Sequence, residues 1–84
     1  MTRKMTKWQT LATGGSPVST AAINETRITV ASSLQTHYVA LNSTATNTSI
    51  VIPQGAVIDF EIPIGSTISA LAHSGQGHIT ILYY

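Results

Sequence analysis

From Arg27 to the C-terminus, apolar and polar residues alternate with a period of two, in short runs separated by breakers. That alternation, rich in β-branched residues, is the signature of half-buried strands. Arg27 to Val30 opens the series. Thr36 to Asn42 follows, with His37, Val39 and Leu41 on one face and Tyr38 and Ala40 on the other. Thr48 to Ile52 places Ile50 and Ile52 together, and Ala56 to Ile62 points Ile58, Phe60 and Ile62 inward with Val57, Asp59 and Glu61 outward. Thr67 to Ala72 and His78 to Tyr84 complete the set. After residue 27 no stretch has the apolar spacing of an amphipathic helix. The expectation is an all-β fold: a small antiparallel sandwich or barrel of about six strands over residues 21–84.

Two phrases punctuate the middle of the chain, Ile52-Pro53-Gln54-Gly55 and Ile62-Pro63-Ile64-Gly65. Proline lacks an N–H and fits a strand end or turn. Glycine supplies the backbone angles that a turn requires. The repeat therefore predicts two successive corners rather than a ligand loop. Near the end, Ser74-Gly75-Gln76-Gly77 predicts a tight hairpin with glycine at its first central position. Its register would pair His73 with His78, Ala72 with Ile79 and Ile68 with Tyr83. The face Ile68, Ala70, Ala72, Ile79, Ile81, Tyr83 should meet the core. Leu71 and Leu82 would then point away from it.

The first twenty residues read differently. They contain one apolar patch around Trp8 and Leu11, followed by Gly14-Gly15-Ser16-Pro17, a strong break. Residues 1–20 are expected to form an extended arm, with Trp8 as an anchor or as a lid on its own core. Arg3, Lys4 and Lys7 make the arm basic, whereas the rest holds only Arg27 against Glu25, Asp59 and Glu61. Three cations without interleaved aromatics do not make a nucleic-acid face, so nucleic acid is not the expected partner.

Composition sharpens the picture. The chain has 84 residues and no cysteine. A core this small is marginal, and disulfides cannot support it. Charged residues make up 8% and the net charge is +1, against about 25% charged in an ordinary soluble domain. Ser and Thr, about a quarter of the chain, carry the hydrophilicity, and hydroxyls cost far less to bury than full charges. Such a surface suits a protein packed against neighbours. No apolar run approaches a membrane span. The sequons at Asn24, Asn42 and Asn47 reflect Ser/Thr/Asn richness.

Catalytic and metal chemistry find little purchase. His73 and His78, paired across a hairpin, could share a metal with His37, but zinc needs three or four ligands. Two histidines flanking an exposed turn is the simpler reading. Asp59 and Glu61 share one side of a strand, yet calcium needs six or more oxygens. No placed nucleophile or phosphate loop is present. Neither an enzyme activity nor a cofactor or metal is expected.

The polar N-terminal arm, the Pro-x-Gly corners and the closing GSTISALAHSGQGHITILYY, with Gly65, Ile68 and Ala70 before Ser74 to Gly77, resemble small β-proteins of tailed bacteriophage virions. These are capsid decoration (cement) proteins and the β domains of fibres and tails. The resemblance covers about the last third of the chain. It implies a structural virion protein, a homo-oligomer and often a trimer, gripping a major capsid protein or another virion protein through its arm. Arg3, Lys4, Lys7 and Trp8 would make the arm contacts, and Leu71, Leu82 and Tyr84 the subunit packing. The alternative is a glycan- or receptor-binding module of a fibre or tail, for which Tyr38, Tyr83 and Tyr84 are the aromatic candidates.

Overall fold

A computed structural model describes residues 7–84, all of it β structure and connections. Strands β1 (Lys7–Thr13), β8 (Gly77–Tyr83), β3 (Arg27–Ser33) and β6 (Val57–Glu61) form one sheet in that order. Strands β2 (Val18–Ser19), β7 (Ile68–Ala72), β4 (His37–Leu41) and β5 (Ile50–Ile52) form the second. All pairings are antiparallel. Between the sheets lie Ile23, Ile28, Val30, Val39, Ile52, Ile62, Ile68, Ala70, Ile79, Ile81 and Tyr83. The fold is thus all-β, with eight strands rather than about six.

The additional strands come from the N-terminal region. Residues 7–13 do not extend from the body as an arm. They run along β8 from Lys7 opposite Tyr83 to Thr13 opposite Gly77, and Leu11 packs against the core. Val18 and Ser19 pair with Ala70 and Ser69. The alternation there is weak because an edge strand buries little side chain, so only backbone pairing reveals it. Arg3 and Lys4 lie outside the described residues.

The two Pro-x-Gly phrases are corners of the expected kind. The Ala56 N–H donates to Pro53 O at 3.0 Å and the Ser66 N–H to Pro63 O at 3.2 Å. Gly55 and Gly65 sit at φ +80° and +88°, the left-handed region that the third residue of such a turn needs. Each corner carries the chain from one sheet to the other: β5 to β6, then β6 to β7.

The last turn does the same, which overturns the predicted hairpin. β7 pairs with β4 and β2, while β8 pairs with β1 and β3. His73 and His78 are therefore not cross-strand partners. Side by side, the two strands would bury one common face. Folded across the gap, Ile68, Ala70 and Ala72 face Ile79, Ile81 and Tyr83, and all six are buried as expected. The corner is tied to the β3–β4 connection, since Gln35 Oε1 accepts from the Ser74 N–H at 2.6 Å.

Gly77, at the start of β8, shows how tightly this end is packed. A Cβ there would lie 3.0 Å from Gln35 Cγ, His37 Cε1 and the Ser33 carbonyl oxygen. Gly77→Ala is expected to cost about 1–3 kcal/mol by overpacking, measured by urea unfolding. Gly14→Ala meets nothing within 4 Å and should change stability by less than about 0.5 kcal/mol.

Candidate functional site

A hydrogen-bonded polar cluster lies inside the sandwich. His37, fully buried on β4, joins the two sheets. Its Nε2 is 2.6 Å from Thr13 Oγ1 on β1, and its Nδ1 is 2.7 Å from Ser32 Oγ on β3. The Ser32 hydroxyl donates to Gln35 O at 2.6 Å, so Ser32 Oγ must accept from Nδ1–H. Burial keeps the ring neutral, so its proton is on Nδ1 and Nε2 accepts from the Thr13 hydroxyl. Burial holds the His37 pKa below its ordinary value; the Gln35 backbone works the other way, and His78 adds slightly to the lowering.

A serine beside a histidine suggests a nucleophile, but this pair has the wrong surroundings. Ser32 is buried, its proton is committed to a carbonyl, and no solvent reaches His37. The trio works as a polar clamp between layers. The other histidines are elsewhere: His73 Nδ1 lies 2.7 Å from Tyr38 Oη, and His78 stands opposite Ser33 and Ala12. Among the described residues no group of three or more His, Asp or Glu is placed to hold a metal ion. No helix of the described residues is long and apolar enough to cross a membrane.

The outward faces differ. On the β7–β4–β5 sheet, residues 42–49 fold back over the surface. The buried Ala45 donates its N–H to Ser69 Oγ at 3.0 Å, which covers Ala40 and Ser69 and breaks the simple alternation there. Leu71 stands between this lid and the Tyr38–His73 pair, opposite Tyr38 in the ladder.

The outward face of the other sheet is open. Its rows read Trp8, Leu82, Thr29, Asp59 and Thr10, Thr80, Ala31, Val57 across the four strands. Trp8 is 66% exposed and Val57 63%. The second row carries no charge. Charges gather at one corner, where Thr29 donates to Asp59 at 2.5 Å and Arg27 Nε lies 3.8 Å from Glu61. An open cleft of about 410 Å³ is found there, lined by Arg27, Thr29, Asp59, Phe60, Glu61 and Tyr84.

A smaller hollow of about 320 Å³ adjoins Lys7, Trp8 and Gln9 at the opposite edge. Lys7 Nζ sits 5.2 Å from the Tyr83 ring centre and 3.9 Å from Glu25. The Tyr83 hydroxyl donates to Gln9 Oε1 at 2.8 Å. Burial, and then the Glu25 carboxylate, push the Tyr83 phenol up.

The sequence-predicted residues are thus distributed widely. Trp8 marks one edge of the open face while Lys7 beside it turns inward to Tyr83, Leu82 lies within the face, and Tyr84 borders the cleft at its other edge. Leu71 is on the opposite side of the molecule. Tyr38, Tyr83 and Tyr84 do not converge: Tyr38 is in the other sheet and Tyr83 is buried. The cleft went unforeseen because β3 and β6 are far apart in sequence. Only the shared side of Asp59 and Glu61 pointed to it. No protein-family model, curated protein or solved structure matches the chain.

Stability should follow His37. The unfolded chain takes up a proton near pH 6.5, whereas the folded, desolvated ring takes it up lower. The unfolded state then binds more protons below that pH, so stability is full above about pH 6.5 and falls as pH drops toward the folded-state value. The slope is at most about 1.4 kcal/mol per pH unit. Urea midpoints at pH 7.5 and 5.5 should differ, and His37→Gln should flatten this dependence. An unchanged slope in the variant would show that another group is responsible.

Proposed function

We propose that this chain is a non-enzymatic structural protein of a virion, of the kind that decorates and cements a tailed-phage head, and that it acts by burying surface against neighbouring subunits. The observation that carries this proposal is the open face with Trp8 at one edge and the uncharged row Thr10, Thr80, Ala31, Val57 across it. Hydroxyls and methyl groups are cheap to desolvate, and a wide uncharged β surface is a burden to a free monomer. Ile64, Leu34 and Val51 add exposed apolar surface elsewhere. The resemblance of the last third of the chain to virion β-proteins supplies the setting, and the major head protein is the expected partner. Localisation in the virion follows from the same proposal.

Binding would use standard interface physics: roughly 800 Å² per partner, dominated by a few aromatic anchors. Because β1 belongs to the sheet, any free arm is confined to the residues before Lys7. Two measurements test the proposal. Sedimentation equilibrium of the purified chain at micromolar concentration should give an oligomer, a trimer on the reading above. Mass spectrometry of purified particles of a phage that encodes the chain should find it in many copies. A strict monomer removes the assembly argument, and absence from the particles removes the virion assignment.

A further inference from the structure

Trp8 and the cleft are at opposite edges of the same sheet, in the same cross-strand row: Trp8 on β1, then Leu82, Thr29 and Asp59 on β6. Three strand spacings, about 14 Å, separate them, so Trp8 cannot enter the cleft of its own chain. The two sites nevertheless match. Trp8 projects with 66% of its surface exposed. The cleft, about 410 Å³, is bordered by Tyr84 and by Arg27, whose guanidinium can stack on an indole.

The chemistry matches as well. Lys7 turns inward to Tyr83 and Glu25 and takes no part, but the Trp8 indole N–H can donate to a carboxylate. The cleft holds Asp59 and Glu61, two of the three carboxylate side chains of the chain, against the single cation Arg27. Asp59 is held by the Thr29 hydroxyl and has no cation of its own in the ion pairs of the described residues. Strand direction is also compatible. Directions alternate through β1, β8, β3 and β6, so β1 of one copy set beside β6 of the next runs antiparallel to it. That continues the pattern of the sheet.

We infer that copies of this chain associate head to tail, with Trp8 of one copy seated in the Arg27–Asp59–Glu61–Tyr84 cleft of the next. This rests on the assembly reading above and specifies its contact. Such an interface is heterologous. Repetition closes into a ring, a trimer among the possible sizes, or grows as a filament.

Complementation between two variants is the test. Trp8→Ala removes the knob and keeps the cleft. Asp59→Lys with Glu61→Lys reverses the charge of the cleft and keeps the knob. All three positions are exposed, and circular dichroism checks folding. Should the double variant unfold, Glu61→Lys alone replaces it. Each variant alone is expected to associate at least about 10-fold more weakly than the parent chain, the loss typical of a central aromatic anchor. Mixed one to one, they retain one good junction, so heterodimers form and nothing larger.

A parent chain that is monomeric overturns both the assembly reading and this contact. A parent oligomer that either variant reproduces overturns the contact alone. A mixture that stays monomeric, or that builds the parent oligomer, also overturns it.

Discussion

Everything in this fold depends on one gap, the layer where the isoleucine-rich inner faces of two four-stranded sheets meet. Neither sheet has another apolar layer to lean on. With 84 residues and no cysteine, burial between the sheets must supply most of the stabilisation. The chain meets this constraint by changing sheets at every connection except β4 to β5. Successive apolar strands are thereby set face to face instead of side by side. The Pro-x-Gly corners and the Ser74–Gly77 turn are the hardware of those crossings.

At one end Gly77 leaves no room for a side chain of its own, and polar groups fill the layer. His37 fills the space beside Gly77 and satisfies both ring nitrogens with hydroxyls from the other sheet. A buried imidazole costs little when neutral and fully bonded. The same group would be costly if charged, which is why an interior clamp of this kind responds to pH. Ser32 on β3 and Gln35 in the β3–β4 connection complete the clamp, and the turn to β8 relies on Gln35 as well.

Much of this architecture was legible in the sequence. The period-two runs gave six strands close to their actual bounds, because inward residues such as Val30, Val39 and Ile81 must be apolar. The Pro53 and Pro63 corners were legible because proline and glycine have few alternatives. β1 and β2 were not, since their ends are fixed by backbone pairing to β8 and β7 and only Leu11 and Val18 lean on the core. The pairing of β7 and β8 was misread because a glycine turn looks the same whether it closes a hairpin or crosses between layers. The cleft depends on the contact of β3 with β6, some thirty residues apart in the ladder, and no local pattern encodes that.

The crossing of the chain at nearly every turn has a kinetic side. Only β4 and β5 are joined as neighbours in both sequence and sheet. Every other pairing must close a long loop before any strand is rewarded, so the route to the native state is dominated by non-local search. Folds of this type form over milliseconds to seconds. Once formed, no strand can peel away without opening the layer that holds its neighbours in sequence. A chain with modest equilibrium stability can in this way be slow to come apart, so that its persistence is governed by an unfolding rate rather than by a free-energy difference.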